Sequence, residues 1–115
     1  MSFSPILRGL AQDHPAIRGV VFCDEEGEKV DSHIADPALD AFDLDIAGAS
    51  FATLVPMLQL QEGRAQLRVN HGGGLIWMQM LDEHYYLLVL SHPTPTAGLM
   101  GPHLETVAEA IVLQM

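Results

Sequence analysis

Residues 17–34, IRGVVFCDEEGEKVDSHI, decide how this chain folds. The first part, Ile17–Asp24, carries Val20, Val21 and Phe22 in succession, so it is apolar on both faces. Such a strand has cover above and below and reads as a central strand between helices. Glu25-Glu26-Gly27 is a turn, and three residues with a glycine between two strands signal a hairpin. Glu28–Ile34 then alternates, Val30, Ser32 and Ile34 against Lys29, Asp31 and His33, as an outer, half-exposed strand does.

Upstream of this hairpin, Ser2 or Ser4 can cap a short helix with Pro5 at its first position, where the missing N–H costs nothing. Ile6, Leu7 and Leu10 form its apolar stripe, and His14-Pro15 ends it. Downstream, Asp36-Pro37 breaks the chain. A helix runs from about Leu39 to Gln61, with Asp40 or Asp43 placing a carboxylate at its positive end. Ala47, Phe51, Leu54 and Leu58 share one face of it. A second set, Ile46, Ala49, Thr53, Met57 and Leu60, lies beside the first. A helix with two such faces packs against its own sheet and against something else. Pro56 should kink or interrupt it, and Glu62-Gly63 ends it.

Three more strands follow. Arg64–Asn70 alternates, with Ala65, Leu67 and Val69 inward and Arg64, Gln66, Arg68 and Asn70 outward. His71-Gly72-Gly73-Gly74 turns into Leu75–Leu81, and Asp82-Glu83-His84 turns into Tyr85–Leu90. Both of these strands are apolar on both faces and so interior. After Pro93 and Pro95, Ala97-Gly98-Leu99-Met100 opens a last helix, roughly Leu99–Leu113, with Leu104, Val107, Ala108, Ile111 and Val112 at helical spacing.

The chain has 115 residues, which is the size of one domain, residues 1–115, with a core of its own. Its hydrophobic share of 49% argues against long disorder. Fifteen acidic residues against five basic ones give a net charge of −10, which would repel a phosphate backbone and disfavours nucleic acid as a partner. The imbalance is local: nine carboxylates and only Lys29 lie between Asp24 and Asp45. That stretch reads as a solubilising face, or as a landing surface for a basic partner. The single cysteine, Cys23, rules out an internal disulfide framework and reads as a buried small hydrophobe in a reducing compartment. No secretory signal opens the chain, and no apolar run reaches membrane-spanning length. The expectation is a soluble, cytoplasmic protein without membrane insertion.

No catalytic or cofactor pattern competes with a binding role. His71-Gly72-Gly73-Gly74 is similar to the oxyanion-hole motif of some esterases, but no Gly-x-Ser-x-Gly elbow accompanies it. The six histidines, at 14, 33, 71, 84, 92 and 103, form no metal-ligand spacing. Asp43-Leu44-Asp45 lacks the rest of a calcium loop. Neither glycine-rich nucleotide motif occurs. Trp77, Tyr85 and Tyr86, and Met57, Met78, Met80, Met100 and Met115, read mostly as core packing. The expectation is no enzyme, no cofactor and no metal.

Gly19-Val20-Val21-Phe22-Cys23-Asp24 with Gly27, and Tyr85–Leu90 followed by Ala97-Gly98-Leu99-Met100, resemble the first hairpin and the last strand and helix of the roadblock/LC7 family. The match covers nearly the whole chain; the Pro93–Pro95 loop, the triple glycine and Pro56 depart from it. The resemblance implies an α+β, profilin-like fold. In it a five-stranded antiparallel sheet carries the middle helix on one face and both terminal helices on the other. It also implies that Arg64–Asn70 is an edge strand that joins its two-fold mate in a homodimer while the middle helices pack together. The interface would then comprise Ile46, Ala49, Thr53, Met57 and Leu60 with Arg64, Gln66, Arg68 and Asn70. For function it implies control of a Ras-like small GTPase, including acceleration of GTP hydrolysis by repositioning the GTPase's own residues, with no catalytic residue supplied. Other members tether complexes regardless of nucleotide, and a small-molecule pocket is a further reading.

Overall fold

The hairpin forms as the sequence dictates. In the computed structural model β1 (Ile17–Asp24) and β2 (Lys29–Ile34) are antiparallel and joined by a turn with Gly27 at φ +88°, a conformation that side chains with a Cβ rarely adopt. The Asp24 carboxylate ties the turn by accepting the N–H groups of Glu26 (2.9 Å) and Glu28 (3.1 Å). The structure describes residues 3–60, 65–71, 74–93 and 97–115, with the backbone alone at 41, 42, 71 and 97–99. The positions of Ser2, Glu62, Gly63, Arg64, Gly72, Gly73 and Pro95 lie outside the described residues, as does Gln61.

Around the hairpin stand α1 (Ser4–Asp13), α2 (Ala41–Ala52), α3 (Val55–Leu58), β3 (Gln66–His71), β4 (Gly74–Met80), β5 (Tyr85–Ser91) and α4 (Ala97–Gln114). The strands form one antiparallel sheet in the order β2-β1-β5-β4-β3. The strands read as apolar on both faces, β1, β4 and β5, are interior, and β2 and β3 are the edges. Two cores result. Leu7, Leu10, Val20, Phe22, Trp77, Val89, Leu104 and Ile111 fill the side of α1 and α4. Val21, Cys23, Leu44, Val55, Leu58, Met78, Tyr86 and Leu88 fill the side of α2 and α3.

Four local readings need correction. Ser4 is the first helical residue, not the cap of α1; Phe3 holds the cap position without a side-chain bond. The Ser4 hydroxyl instead donates to the Asp31 carboxylate (3.0 Å), which fixes the helix to β2. The alternation in β2 is shifted by a bulge between Phe22 and Cys23, so Lys29 joins Ser32 and Ile34 on the α2 face while Val30 stands exposed. The middle helix is not continuous from Leu39. Leu39 precedes the cap Asp40, and the first piece stops at Ala52. Pro56, which lacks an N–H, sits in the first turn of a new short helix. Met57 and Met115 are exposed, whereas Met78, Met80 and Met100 do fill the core.

The start of α2 is reinforced on two levels. Asp40 and Asp43 each accept the other's backbone N–H, at 2.9 and 3.1 Å, a capping box. Leu39 and Leu44 flank it as a buried hydrophobic staple over Gly19, where a Cβ would come within 2.7 Å of Leu39. One turn further, a Cβ on Gly48 would lie 2.9 Å from the Cys23 sulfur and 3.2 Å from the Gly27 carbonyl. The Tyr86 hydroxyl donates to the Gly48 carbonyl at 2.6 Å. The helix is therefore seated over β1 and the hairpin turn. Gly48→Val should overpack this contact and cost about 1–3 kcal/mol. Urea denaturation measures the loss, and an unchanged midpoint would show that the helix does not sit this close.

Candidate interaction surface

Where α2 sits decides what it leaves uncovered. It packs on β1 and β2, while among the described residues the far edge of the sheet has no helix over it on that face. Leu67 and Val69 of β3 and Ile76 of β4 are only half buried there. Ile46, Ala47 and Phe51 on α2 face Val69, Ile76 and Leu90 across a groove of about 280 Å³. The groove runs into a row of exposed side chains. Ile46 is 49% exposed, Met57 53% and Leu60 84%, and Ala49 and Thr53 are exposed beside them. The five residues expected on the outer face of the middle helix are thus all outward, even though the helix breaks between Thr53 and Met57. Ala47, Phe51, Leu54 and Leu58 turn to the sheet as expected, joined by Leu44 and Val55, which the periodicity reading missed.

The edge strand adds backbone groups to this apolar surface. β3 pairs with β4 on one side and, among the described residues, with no strand on the other. The Met80 N–H donates to the Ala65 carbonyl (2.9 Å). That sets the ladder so that Leu67 and Val69 also bond inward, and Gln66, Arg68 and Asn70 direct their N–H and C=O groups to the open edge. Their side chains stand on the sheet face opposite α2. Arg68 folds back over the Trp77 ring, 5.5 Å from its centroid, and the Gln66 amide donates to Gln79 at 2.6 Å and to the Gly101 carbonyl at 3.0 Å. These residues therefore offer backbone, not side chains, on the same face as Ile46 and Met57. Arg64, grouped with them in the sequence, lies outside the described residues.

The acidic stretch is largely structural. Asp24 holds the hairpin turn, Asp31 holds α1, and Asp40 and Asp43 cap α2. Asp45 pairs with Lys29 at 3.3 Å. Asp36 accepts from the Ala38 N–H and from Arg18 (2.8 Å), and these bonds hold its carboxyl below the usual aspartate value. Glu26 and Glu28 stand exposed, and Glu25 lies 3.2 Å from His84. The carboxylates without a structural bond of this kind are thus concentrated in that glutamate turn, although Asp40, Asp43 and Asp45 are exposed as well. The Asp-x-x-Gly of the turn and the Asp-x-x-Asp of the cap were the sequence signals for these roles.

Among the described residues no reactive group stands out. Burial pushes the Cys23 thiol up to about 11, so it stays protonated at neutral pH. Among the described residues no group of three or more His, Cys, Asp or Glu side chains could hold a metal ion, and no helix is long and apolar enough to cross a membrane.

Sheet order, helix placement and the open β3 edge together define a known architecture. Over 96% of its length the chain superposes on 95% of the Roadblock/LC7 domain from Streptomyces avermitilis, with a TM-score of 0.81 and 18% identity. The chain has the roadblock/LC7 fold. MglC from Myxococcus xanthus shares this roadblock/LC7 architecture over the full length of both chains, with a TM-score of 0.76 and 20% identity. Myxococcus xanthus MglB matches over 97% of this chain and 95% of its own, with a TM-score of 0.76 and 15% identity. No family model matches the sequence, and no curated protein does.

One titratable contact lies on the side of the roadblock/LC7 fold away from the groove. His14, at the end of α1, meets His103 of α4 with ring centroids 4.7 Å apart, and His103 Nε2 is 3.8 Å from Asp13. Burial, and then the neighbouring His103, lower the His14 pKa below 6.5, while Asp13 opposes the shift. The folded chain therefore binds fewer protons here than the unfolded chain does. The stability this contributes is present above pH 6.5 and is lost as pH falls through the lower folded value. Denaturation midpoints at pH 7.5 and 5.5 should show a decrease that His14→Gln reduces; an equal decrease in the variant would remove His14 as its source.

Proposed function

We propose that the protein is a homodimeric, non-catalytic regulator of a Ras-like small GTPase, acting as an activator of GTP hydrolysis by positioning the GTPase's own residues. The observation that carries the dimer is the exposed row Ile46, Ala49, Thr53, Met57 and Leu60 beside the bare backbone edge of β3. An apolar row and an unpaired strand edge side by side are what an isologous interface needs. Strand pairing satisfies the edge, and the same step buries the row against its symmetry mate. Gln66, Arg68 and Asn70 supply the edge hydrogen bonds in this reading.

The GTPase is supported by the likeness of this fold to MglB and MglC and by the family resemblance of the hairpin and the last strand and helix. Phosphoryl transfer depends on positioning and charge stabilisation, so a partner without a catalytic side chain can still accelerate it. In the alternative reading the same dimer is a scaffold that tethers complexes whatever the nucleotide.

Met57→Glu should convert the dimer to a monomer in light scattering after size exclusion. Desolvating a carboxylate against its mate costs on the order of 3 kcal/mol, about a hundredfold in Kd. An unchanged mass would remove this face from the interface. Capture from host lysate on the tagged protein, with GDP in one arm and a non-hydrolysable GTP analogue in the other, tests the partner. A Ras-like GTPase retained only with the analogue is expected; identical partners in both arms would establish the scaffold instead.

A further inference from the structure

On the sheet face opposite the Ile46 row, one amide joins three elements. Gln79 of β4 is fully buried, and a buried amide needs partners for its donors and its acceptor. Its Nε2 donates to the Met80 carbonyl (3.0 Å), and its Oε1 accepts from Nε2 of Gln66 (2.6 Å), the residue directly opposite on β3. Gln66 Nε2 also donates to the Gly101 carbonyl of α4 (3.0 Å). A Cβ on Gly101 would lie 2.7 Å from the Gln66 carbonyl oxygen, so the amide reaches the helix only because a glycine stands there. The three elements meet at a recess that Arg68 and Trp77 also line.

The rest of β3 is lightly held. Leu67 and Val69 are half buried, and Gln66, Arg68 and Asn70 are exposed. Among the described residues no strand lies beyond it. Gln66 and Gln79 form a non-hydrogen-bonded pair in the ladder, the kind in which facing side chains come closest. The amide pair therefore fixes register where the backbone bonds do not. A slip of one residue would turn Gln66 away from Gln79 and Gly101 together. A strand already held in register loses less freedom when another strand pairs with it.

We infer that the Gln66 amide couples the β3 edge to α4, so that pairing of a second copy on that edge and seating of α4 strengthen each other. This rests on the proposed dimer and adds to it a position, Gly101, on the face opposite the Ile46 row. Coupling of this kind is reciprocal. Whatever parts α4 from Gln66 weakens the dimer, and a contact that presses α4 onto Gln66 tightens it.

Dimer dissociation constants from sedimentation equilibrium test the coupling. Alanine favours helix over glycine, so Gly101→Ala should leave α4 at least as stable while it displaces the Gln66 amide. It should weaken the dimer about fivefold or more, the scale of one net hydrogen bond. Gln66→Met, which keeps the length of the side chain and removes its amide, should do the same. The double variant should be no weaker than either single one, because both break one link. Gly9→Ala, also in a helix but with nothing within 4 Å of the added Cβ, should leave the constant unchanged. Circular dichroism melts confirm that each variant folds. A wild-type constant in Gly101→Ala overturns the inference, as does equal weakening in Gly9→Ala or additive losses in the double variant. If Met57→Glu still gives a monomer in that case, only the coupling falls. A wild-type chain that is monomeric throughout removes the dimer and the coupling with it.

Discussion

The close seat of α2 on the first hairpin is the constraint from which the rest of the surface follows. Gly48 over Cys23 and Gly27 and the Leu39–Leu44 staple over Gly19 hold the helix on β1 and the hairpin turn, and the Tyr86 hydroxyl on the Gly48 carbonyl ties it to the neighbouring β5. A single helix cannot also cover a five-stranded sheet. By lying over one half it leaves β3 and the outer part of β4 uncovered. The exposed apolar row, the groove beside it and the bare strand edge are therefore one consequence of packing, not three separate features.

The strands were legible because burial writes itself into composition. β1 and β5 are covered on both faces, and β4 over most of its length, and all three read as apolar runs; β3 alternates because one side is wet. The two sides of the middle helix were legible for the same reason, since Ile46, Ala49, Thr53, Met57 and Leu60 repeat at helical spacing. What sequence could not supply was anything set by contacts distant along the chain. Ser4 looks like a cap until Asp31, on another element, takes its hydroxyl. The β2 alternation looks regular until the bulge opposite Phe22 and Cys23 shifts it. The pairing of Arg68 with Trp77 across neighbouring strands has no local signature, so a residue grouped with the edge by its alternation also helps to build a recess under α4.

Charge shows the same division between local and distant causes. Nine carboxylates in a short stretch read from sequence as a solubilising face or as a landing surface for a basic partner. Most of them turn out to be anchors for backbone N–H groups in a hairpin turn, a helix start and a loop, tasks for which aspartate is suited because its short side chain reaches its own neighbourhood. The excess negative charge is thus partly a by-product of how the segment from Asp24 to Asp45 is tied down.

The division into two cores has a dynamic consequence. Among the described residues, the layer of α2 and α3 rests on the smaller set of buried residues, and its helix is interrupted near Pro56, whereas α1 and α4 share the larger core with one another and with the sheet. Hydrogen-bond protection should therefore be graded, with the α2–α3 layer opening at a lower free energy than the sheet and the terminal helices. A partner that settles on the outer row would add cover to this weaker layer, and would be felt as ordering as well as contact.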